Sequence, residues 1–133
     1  MKALLLLAIF AAISQAYIIP TWTIYNTYAG YFKPTAVLAL NNPQLNTIET
    51  INVCGTANSN TQVNNFSYQV GQGSVVWYSG VINVPPQFVF SGASYCFDYT
   101  FVVPPTAKPG FVVYLTLNNG TNGLATVQVN FNV

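Results

Sequence analysis

The sequence predicts an all-β protein, an antiparallel β-sandwich of Ig-like or jelly-roll type with about eight strands. Apolar and polar residues alternate with a period of two in almost every segment after residue 16, which is typical of half-buried strands. These segments are rich in Val, Thr, Tyr and Phe, and Gly, Pro or Asn residues separate them. The chain has 133 residues, of which 52% are hydrophobic, so it is long enough for one domain with a sizeable core.

Residues 1–16 have the pattern of a secretory signal peptide. Lys2 precedes an apolar run at residues 3–13, and the small residues Ser14 and Ala16 suit signal peptidase. The run ends too early for a comfortable membrane span, which needs about 20 apolar residues. We therefore expect cleavage after Ala16 and a secreted, extracellular protein on a cell surface or a virion surface. The alternative is that the apolar leader is retained. In that case the leader would be the only part of the chain expected to contact a membrane.

Residues 17–30 are predicted to form a strand followed by a hinge at Ala29-Gly30. Apolar side chains alternate with hydroxyl-bearing ones along residues 17–28, so one face of the strand is apolar. A strand next to a cleavage site could be donated to a neighbouring subunit and complete its sheet. The alternative is that it forms the first strand of its own sandwich. The residues predicted to make the intersubunit contact are Ile18, Ile19, Pro20, Trp22, Ile24 and Tyr25.

The sandwich domain is predicted to occupy residues 31–133. Strict alternation predicts strands at residues 111–117 and 126–133, and the Asn- and Gly-rich residues 118–123 join them in a hairpin. An earlier strand at residues 97–103 runs into Pro104-Pro105. Further strands are predicted near residues 35–40, 47–54, 62–70, 74–84 and 87–90.

Cys54 and Cys96 are the two cysteines of the chain. Their even number and an oxidising compartment favour a disulfide, which would close a loop of roughly 43 residues and contribute about 4 kcal/mol on the chain-entropy model. The alternative is two buried thiols. Both cysteines are out of phase with their apolar neighbours, which predicts a strand end or a bulge at these positions.

Charged residues are nearly absent. The chain has three lysines, two acidic residues and no His, so 4% of its residues are charged. Too few cations are present to neutralise phosphates, and nucleic acid is not an expected partner. Glu49 and Asp98 are far apart in sequence, so no catalytic triad, His-based metal site or local carboxylate pair can be assembled. We therefore expect neither enzymatic activity nor a cofactor or metal.

The sheet edges also lack charge. Natural β proteins usually protect their edges with charged residues, Lys especially, so neighbouring copies in an assembly could cover these edges instead. A secretory leader, a free N-terminal strand, almost no charge and a Tyr-, Val-, Asn- and Thr-rich sandwich together resemble the secreted pilin or thread subunits of thermophilic archaea and their viruses. This resemblance implies a structural subunit of an extracellular filament. Such a homopolymer grows by donation of residues 17–30, and other cells or surfaces are further partners.

A second family provides the alternative. The order of Asn42-Pro43, Cys54-Gly55, the strand from Tyr99 to Pro104, Pro109-Gly110 and the hydrophobic C-terminal strand is similar to that of ML-type secreted lipid-recognition domains. This resemblance implies a single sandwich that holds a lipid tail between its sheets.

Two asparagines fit the N-glycosylation pattern. Asn65 begins Asn-Phe-Ser and Asn119 begins Asn-Gly-Thr. Glycans at Asn65 and Asn119 would solvate an exposed surface that lacks charge. The alternative is chance, because the chain is rich in Asn.

Overall fold

The computed structural model describes residues 17–40 and 43–132, so the predicted signal peptide lies outside the described residues. Eight strands account for most of this part of the chain, and a short 3₁₀ turn at Tyr28–Gly30 is the remaining regular element. The strands are β1 Thr21–Asn26, β2 Phe32–Ala39, β3 Ile48–Ala57, β4 Thr61–Gln72, β5 Val75–Val89, β6 Ser94–Val102, β7 Phe111–Asn119 and β8 Asn122–Phe131.

The eight strands form two antiparallel sheets. One sheet has five strands in the order β1-β8-β7-β4-β5, and the other has three in the order β2-β3-β6. The chain therefore passes from sheet to sheet between β1 and β2, between β3 and β4, between β5 and β6, and between β6 and β7. This arrangement confirms the predicted all-β sandwich of eight strands.

The core lies between the two sheets, because each sheet turns its apolar face inward. In β7 the alternation is complete, with every second residue buried from Phe111 to Leu117 and the residues between them partly exposed. Burial of each such Val, Leu or Phe side chain stabilises the fold by about 1.5–3 kcal/mol. The largest fully buried side chains are Phe32, Phe66, Phe111, Ile51, Leu115, Leu117, Val37, Val53, Val63, Val70, Val103 and Val113.

One long strand, β5, replaces the two predicted at residues 74–84 and 87–90. The prediction was wrong because Pro85-Pro86 was taken as a break between strands. Proline lacks the N–H that a ladder needs, and is tolerated on an edge strand or at a bulge. Both conditions hold, since β5 is an edge strand and its register with β4 shifts between Val63 and Asn65, opposite the prolines.

The disulfide between Cys54 and Cys96 is present, as predicted. The two cysteines are directly opposite each other in β3 and β6, with their Cα atoms 4.1 Å apart. The expected strand end is wrong, because the register of β3 with β6 is continuous through this pair. A register shift does lie beside Cys54, but it is in β2, between Pro34 and Ala36, and does not change the face on which Cys54 lies. Val53 and Phe97 point into the core, so the disulfide lies on the outer face of the three-stranded sheet.

Strand β1 lies at the edge of its own five-stranded sheet, antiparallel to β8. Just before it, Ile18 and Ala39 exchange two backbone hydrogen bonds of 2.8 Å, so this segment also contacts β2 of the other sheet. Ile18 and Trp22 pack against the core and Pro20 is buried, in agreement with the apolar face predicted for this segment. Donation of residues 17–30 to a neighbouring copy stays a prediction.

Candidate ligand-binding cleft

The sandwich is open on the side where β5 and β6, the edge strands of the two sheets, approach each other. A cavity of about 290 Å³ opens there, bordered by β4, β5 and β6. We call it the intersheet cleft. Its lining residues are Tyr68, Tyr78, Ile82, Tyr99, Thr100, Phe101 and Val102.

Aromatic rings form one wall of the intersheet cleft. In β6 the inward positions are occupied by Phe97, Tyr99 and Phe101, and the rings of Tyr99 and Phe101 stack with centroids 5.3 Å apart. Strand β4 adds Tyr68, whose ring stacks on Tyr99 at 4.7 Å. Phe66 and Phe97, with rings 4.9 Å apart, do not line the cleft but belong to the core behind this wall. Stacked and tilted rings at these separations attract each other beyond their area of burial, so this wall is a well-packed apolar surface.

The opposite border of the cleft is an apolar segment of β5 that remains partly in contact with water. Tyr78 and Ile82 are each 37% exposed, and Val102 of β6 is exposed beside them. Gly80 allows this border to approach the wall, because a Cβ at that position would lie 2.7 Å from the hydroxyl oxygen of Tyr68. Contiguous exposed apolar surface with a concave shape is typical of ligand-binding or interaction sites.

The intersheet cleft is electrically neutral. The charged residues within the described parts of the chain are Lys33, Glu49, Asp98 and Lys108, and none of them lines it. Burial raises the pKa of Tyr99, and the neighbouring hydroxyls of Tyr68 and Tyr78 add to the shift. Tyr99 therefore stays protonated at neutral pH, and its hydroxyl can hydrogen-bond to the polar end of an apolar ligand.

The two acidic residues occupy separate and different environments. Glu49 is 2% exposed at a core-facing position of β3, and its carboxylate accepts hydrogen bonds from the N–H groups of Leu40 at 2.7 Å and Thr50 at 3.0 Å. Burial raises the pKa of Glu49 and these two hydrogen bonds lower it, with burial the larger effect. Asp98 is on the outer face of the three-stranded sheet and accepts a hydrogen bond from Asn52 at 2.7 Å. The structure does not bring the two carboxylates together.

The predicted site residues lie outside the intersheet cleft. The segment at residues 18–25 is at the β1 edge of the five-stranded sheet, whereas the cleft borders its β5 edge. Ile18, Pro20 and Trp22 face inward, Ile19 is 77% exposed, and Tyr25 packs edge-on against Tyr114 with ring centroids 5.2 Å apart. Ile24 is partly exposed.

The two predicted glycosylation sites differ in their surroundings. The side-chain amide of Asn65 donates to the carbonyl of Gly120 at 3.1 Å and its oxygen accepts from Asn118 at 2.8 Å. Asn119 is half-buried at the turn between β7 and β8. Glycosylation at either asparagine stays a prediction.

The residues of the intersheet cleft were missed at the sequence level. One signal could have indicated them. The segment from Val75 to Ile82 has apolar residues on both faces, and a strand whose outer face and edge contact only water would be expected to have polar residues there. Within residues 17–40 and 43–132, no three His, Cys, Asp or Glu residues lie close enough together to hold a metal ion. In the same residues, no helix is long and apolar enough to cross a membrane.

The fold is similar to that of solved proteins with very different sequences. A Niemann-Pick type C2 protein from the Japanese carpenter ant matches 84% of this chain and 97% of its own, with a TM-score of 0.54 and 9% identity. Spo0M, a sporulation control protein from Bacillus subtilis, matches 78% of this chain and 50% of its own, with a TM-score of 0.52 and 10% identity. No family model matches the sequence, and the search of curated proteins finds no match. These likenesses show the fold alone.

Proposed function

We propose that the protein is a secreted carrier or receptor for an apolar ligand of the lipid class, which it binds in the intersheet cleft. The observation that carries this proposal is a neutral, ring-lined cleft that opens between the edge strands of a two-sheet sandwich. The proposed activity is binding, without a chemical step.

The fold comparison supports this choice over the filament subunit. Niemann-Pick type C2 proteins are of the ML type, the family that provided the alternative interpretation of the sequence. The likeness extends over nearly the whole length of that protein, so it concerns the complete sandwich. None of the comparisons supports the pilin or thread interpretation.

The chemistry of the cleft suits the insertion of a single tail. Its volume of about 290 Å³ is close to the lower limit of the roughly 300–1,000 Å³ that small-molecule sites occupy. Strands β5 and β6 belong to different sheets and share no hydrogen-bonded ladder, so they can separate slightly without breaking backbone pairing. A tail between the rings of Tyr99 and Phe101 and the side chain of Ile82 would gain about 25 cal/mol per Å² of apolar area removed from water.

The first experiment identifies a resident ligand. The protein is purified from a secreting host, extracted with organic solvent, and the extract is analysed by mass spectrometry. We expect a lipid at a molar ratio near one to the protein. The second experiment titrates a fluorescent long-chain fatty acid into the delipidated protein, and we expect saturable binding at one site per molecule.

A pair of variants tests the place of binding. Ile82→Trp should fill the mouth of the intersheet cleft and weaken the fatty-acid affinity at least tenfold. Val81→Trp is the matched control, because its exposed side chain lies on the opposite face of the same strand, opposite Ser67 instead of Phe66. The proposal fails if the wild-type protein neither carries a lipid nor binds the fatty acid, or if the two variants weaken binding equally.

A further inference from the structure

A second and larger depression lies at one end of the sandwich and shares no residue with the intersheet cleft. Its volume is about 670 Å³. Three connections surround it: the turn after β1, the turn between β3 and β4, and the turn between β7 and β8. We call it the end pocket. Side chains with polar groups that line it are Tyr28, Tyr31, Asn60, Thr61, Asn119, Thr121 and Asn122.

Hydrogen bonds to backbone carbonyls hold the tyrosine side of the end pocket in place. The turn that carries Tyr28 and Tyr31 has positive φ angles at Ala29 and Gly30. Asn58 fixes this turn, since its backbone N–H donates to the carbonyl of Tyr31 at 2.9 Å and its side-chain amide donates to the carbonyl of Gly30 at 3.0 Å. The two rings are thus presented by an anchored turn.

Gly123 allows the ring of Tyr28 to lie directly on the backbone of β8. A Cβ at position 123 would be 2.8 Å from the ring, so any larger residue would displace it. The hydroxyl of Tyr28 lies 3.4 Å from that of Thr126. The ring is therefore positioned from two sides, while 40% of the residue remains exposed.

Tyr28 also lines a third depression, of about 350 Å³, which lies on the outer face of the five-stranded sheet and adjoins the end pocket at this residue. Its lining residues are Tyr25, Tyr28, Gln69, Tyr114, Thr116 and Thr126. A continuous path of tyrosine rings, amides and hydroxyls thus extends from the end of the sandwich onto the sheet. An elongated ligand could follow this path across Tyr28.

The composition of this path restricts the ligand. None of the charged residues of the described chain lines either depression, so phosphates, sulfates and carboxylates would find no counter-charge. Asparagine and glutamine amides both donate and accept hydrogen bonds, threonine and tyrosine hydroxyls do the same, and the tyrosine rings add flat apolar surface. A molecule with hydroxyl groups at its edges and C–H groups on its faces matches both features.

We propose that the end pocket binds a neutral carbohydrate, with Tyr28 at the junction between two sugar-binding positions. The proposed site is independent of the intersheet cleft. The ligand class follows from the neutral, amide-rich and ring-bearing lining, and it differs from the apolar ligand proposed for the cleft.

The test uses glycan-free protein, made in a bacterial host that forms disulfides, so that no sugar at Asn119 can occupy the pocket. Isothermal titration measures binding of neutral glucose hexamers with β-1,4 or α-1,4 linkages and of an acidic galacturonic acid hexamer. We expect saturable binding of at least one neutral hexamer and none of the acidic one. The proposal would be overturned if neither of the two neutral hexamers bound, or if the acidic hexamer bound as tightly as a neutral one.

Variants locate the site. Tyr28→Ala and Asn122→Ala should each weaken binding of the neutral hexamer at least tenfold. Asn122→Ala serves as the second probe because Asn122 is exposed, so its truncation removes no core packing. Tyr17→Ala is the matched control, since Tyr17 is exposed and lies outside both depressions. Ile82→Trp should leave sugar binding unchanged. Equal losses from Tyr17→Ala and Tyr28→Ala, or full binding by both pocket variants, would refute the assignment.

Discussion

Replacement of both cysteines by serine tests whether the disulfide stabilises the fold by lowering the conformational entropy of the unfolded chain. The bond joins residues 42 positions apart. The loop-closure relation for this length gives about 4 kcal/mol at about 25 °C. Cys54 is half-buried and Cys96 is exposed, so the serines lose little packing in the folded state. We therefore expect the double variant to lose about 4 kcal/mol, a large part of the roughly 5–15 kcal/mol that is typical of a domain.

The assay is urea-induced unfolding, followed by tryptophan fluorescence, of the wild type, of Cys54→Ser/Cys96→Ser and of the reduced wild type. The reduced wild type and the double variant should agree, and both should show a larger dependence on urea, because an unlinked chain exposes more surface. A matched control is Thr50→Ala/Thr100→Ala on the same two strands and the same outer face, where the two hydroxyls lie 2.9 Å apart. A directly opposite pair of this kind contributes about 0.2–1 kcal/mol.

The reasoning would be refuted if the serine variant lost no more stability than the threonine control. It would equally fail if reduction of the wild type and substitution gave clearly different losses. In the first case the bond would stabilise the fold far less than loop closure requires. In the second case contacts of the thiols or serines in the folded state would account for the difference between the two losses.

Two further predictions concern a buried acid and a surface amide. Because burial raises the pKa of Glu49 above its ordinary value of 4.5 in the folded protein, the stability it contributes is complete below that value and is lost as pH rises through the folded pKa. In urea titrations from about pH 4 to about pH 8, Glu49→Gln should remove this decline and Asp98→Asn should not; the reverse pattern would contradict the assignment. Mass spectrometry after enzymatic deglycosylation of the secreted protein should find the glycan at Asn119, because the amide of Asn65 already donates to a backbone carbonyl. A glycan at Asn65 alone would show that this hydrogen bond does not prevent glycosylation.

The sequence predicted the sheets well where alternation was strict. The predicted hairpin of β7 and β8 is present and β7 begins at the predicted residue 111, but β7 ends at Asn119 and β8 begins at Asn122, so the turn is shorter than the predicted residues 118–123. Residues 124–127 of β8 are all buried, so its first half does not follow the alternation that predicted its second half. The cysteines were misjudged since an out-of-phase residue was taken as an irregularity, whereas Cys54 and Cys96 simply face outward in a regular ladder. Alternation gives the face of a residue, and a disulfide can form on either face.

The intersheet cleft could not be predicted in the same way. Tyr68, Tyr78 and Tyr99 come from three strands, and two of these strands are the edges of different sheets. A period of two places each ring on the inner or outer face of its own strand, but it does not tell which edges of two packed sheets approach each other. That depends on the strand order, which long-range packing determines.

The structure also changes the argument that a chain with so little charge must hide its surface in an assembly. The outer face of the five-stranded sheet carries neutral polar side chains that hydrogen-bond to one another. Thr116 and Thr126 do so at 2.8 Å, and Asn118 donates to Asn65 at 2.8 Å. The β5 edge is interrupted by Pro85-Pro86 at a bulge, and prolines and bulges obstruct edge pairing as charges do. Part of the exposed apolar surface of β5, at Tyr78 and Ile82, borders the intersheet cleft, so a ligand bound there would cover some of the surface that the filament interpretation assigned to a neighbouring subunit. Four other apolar residues of β5 are exposed outside the cleft, namely Val75, Val76, Val81 and Phe88.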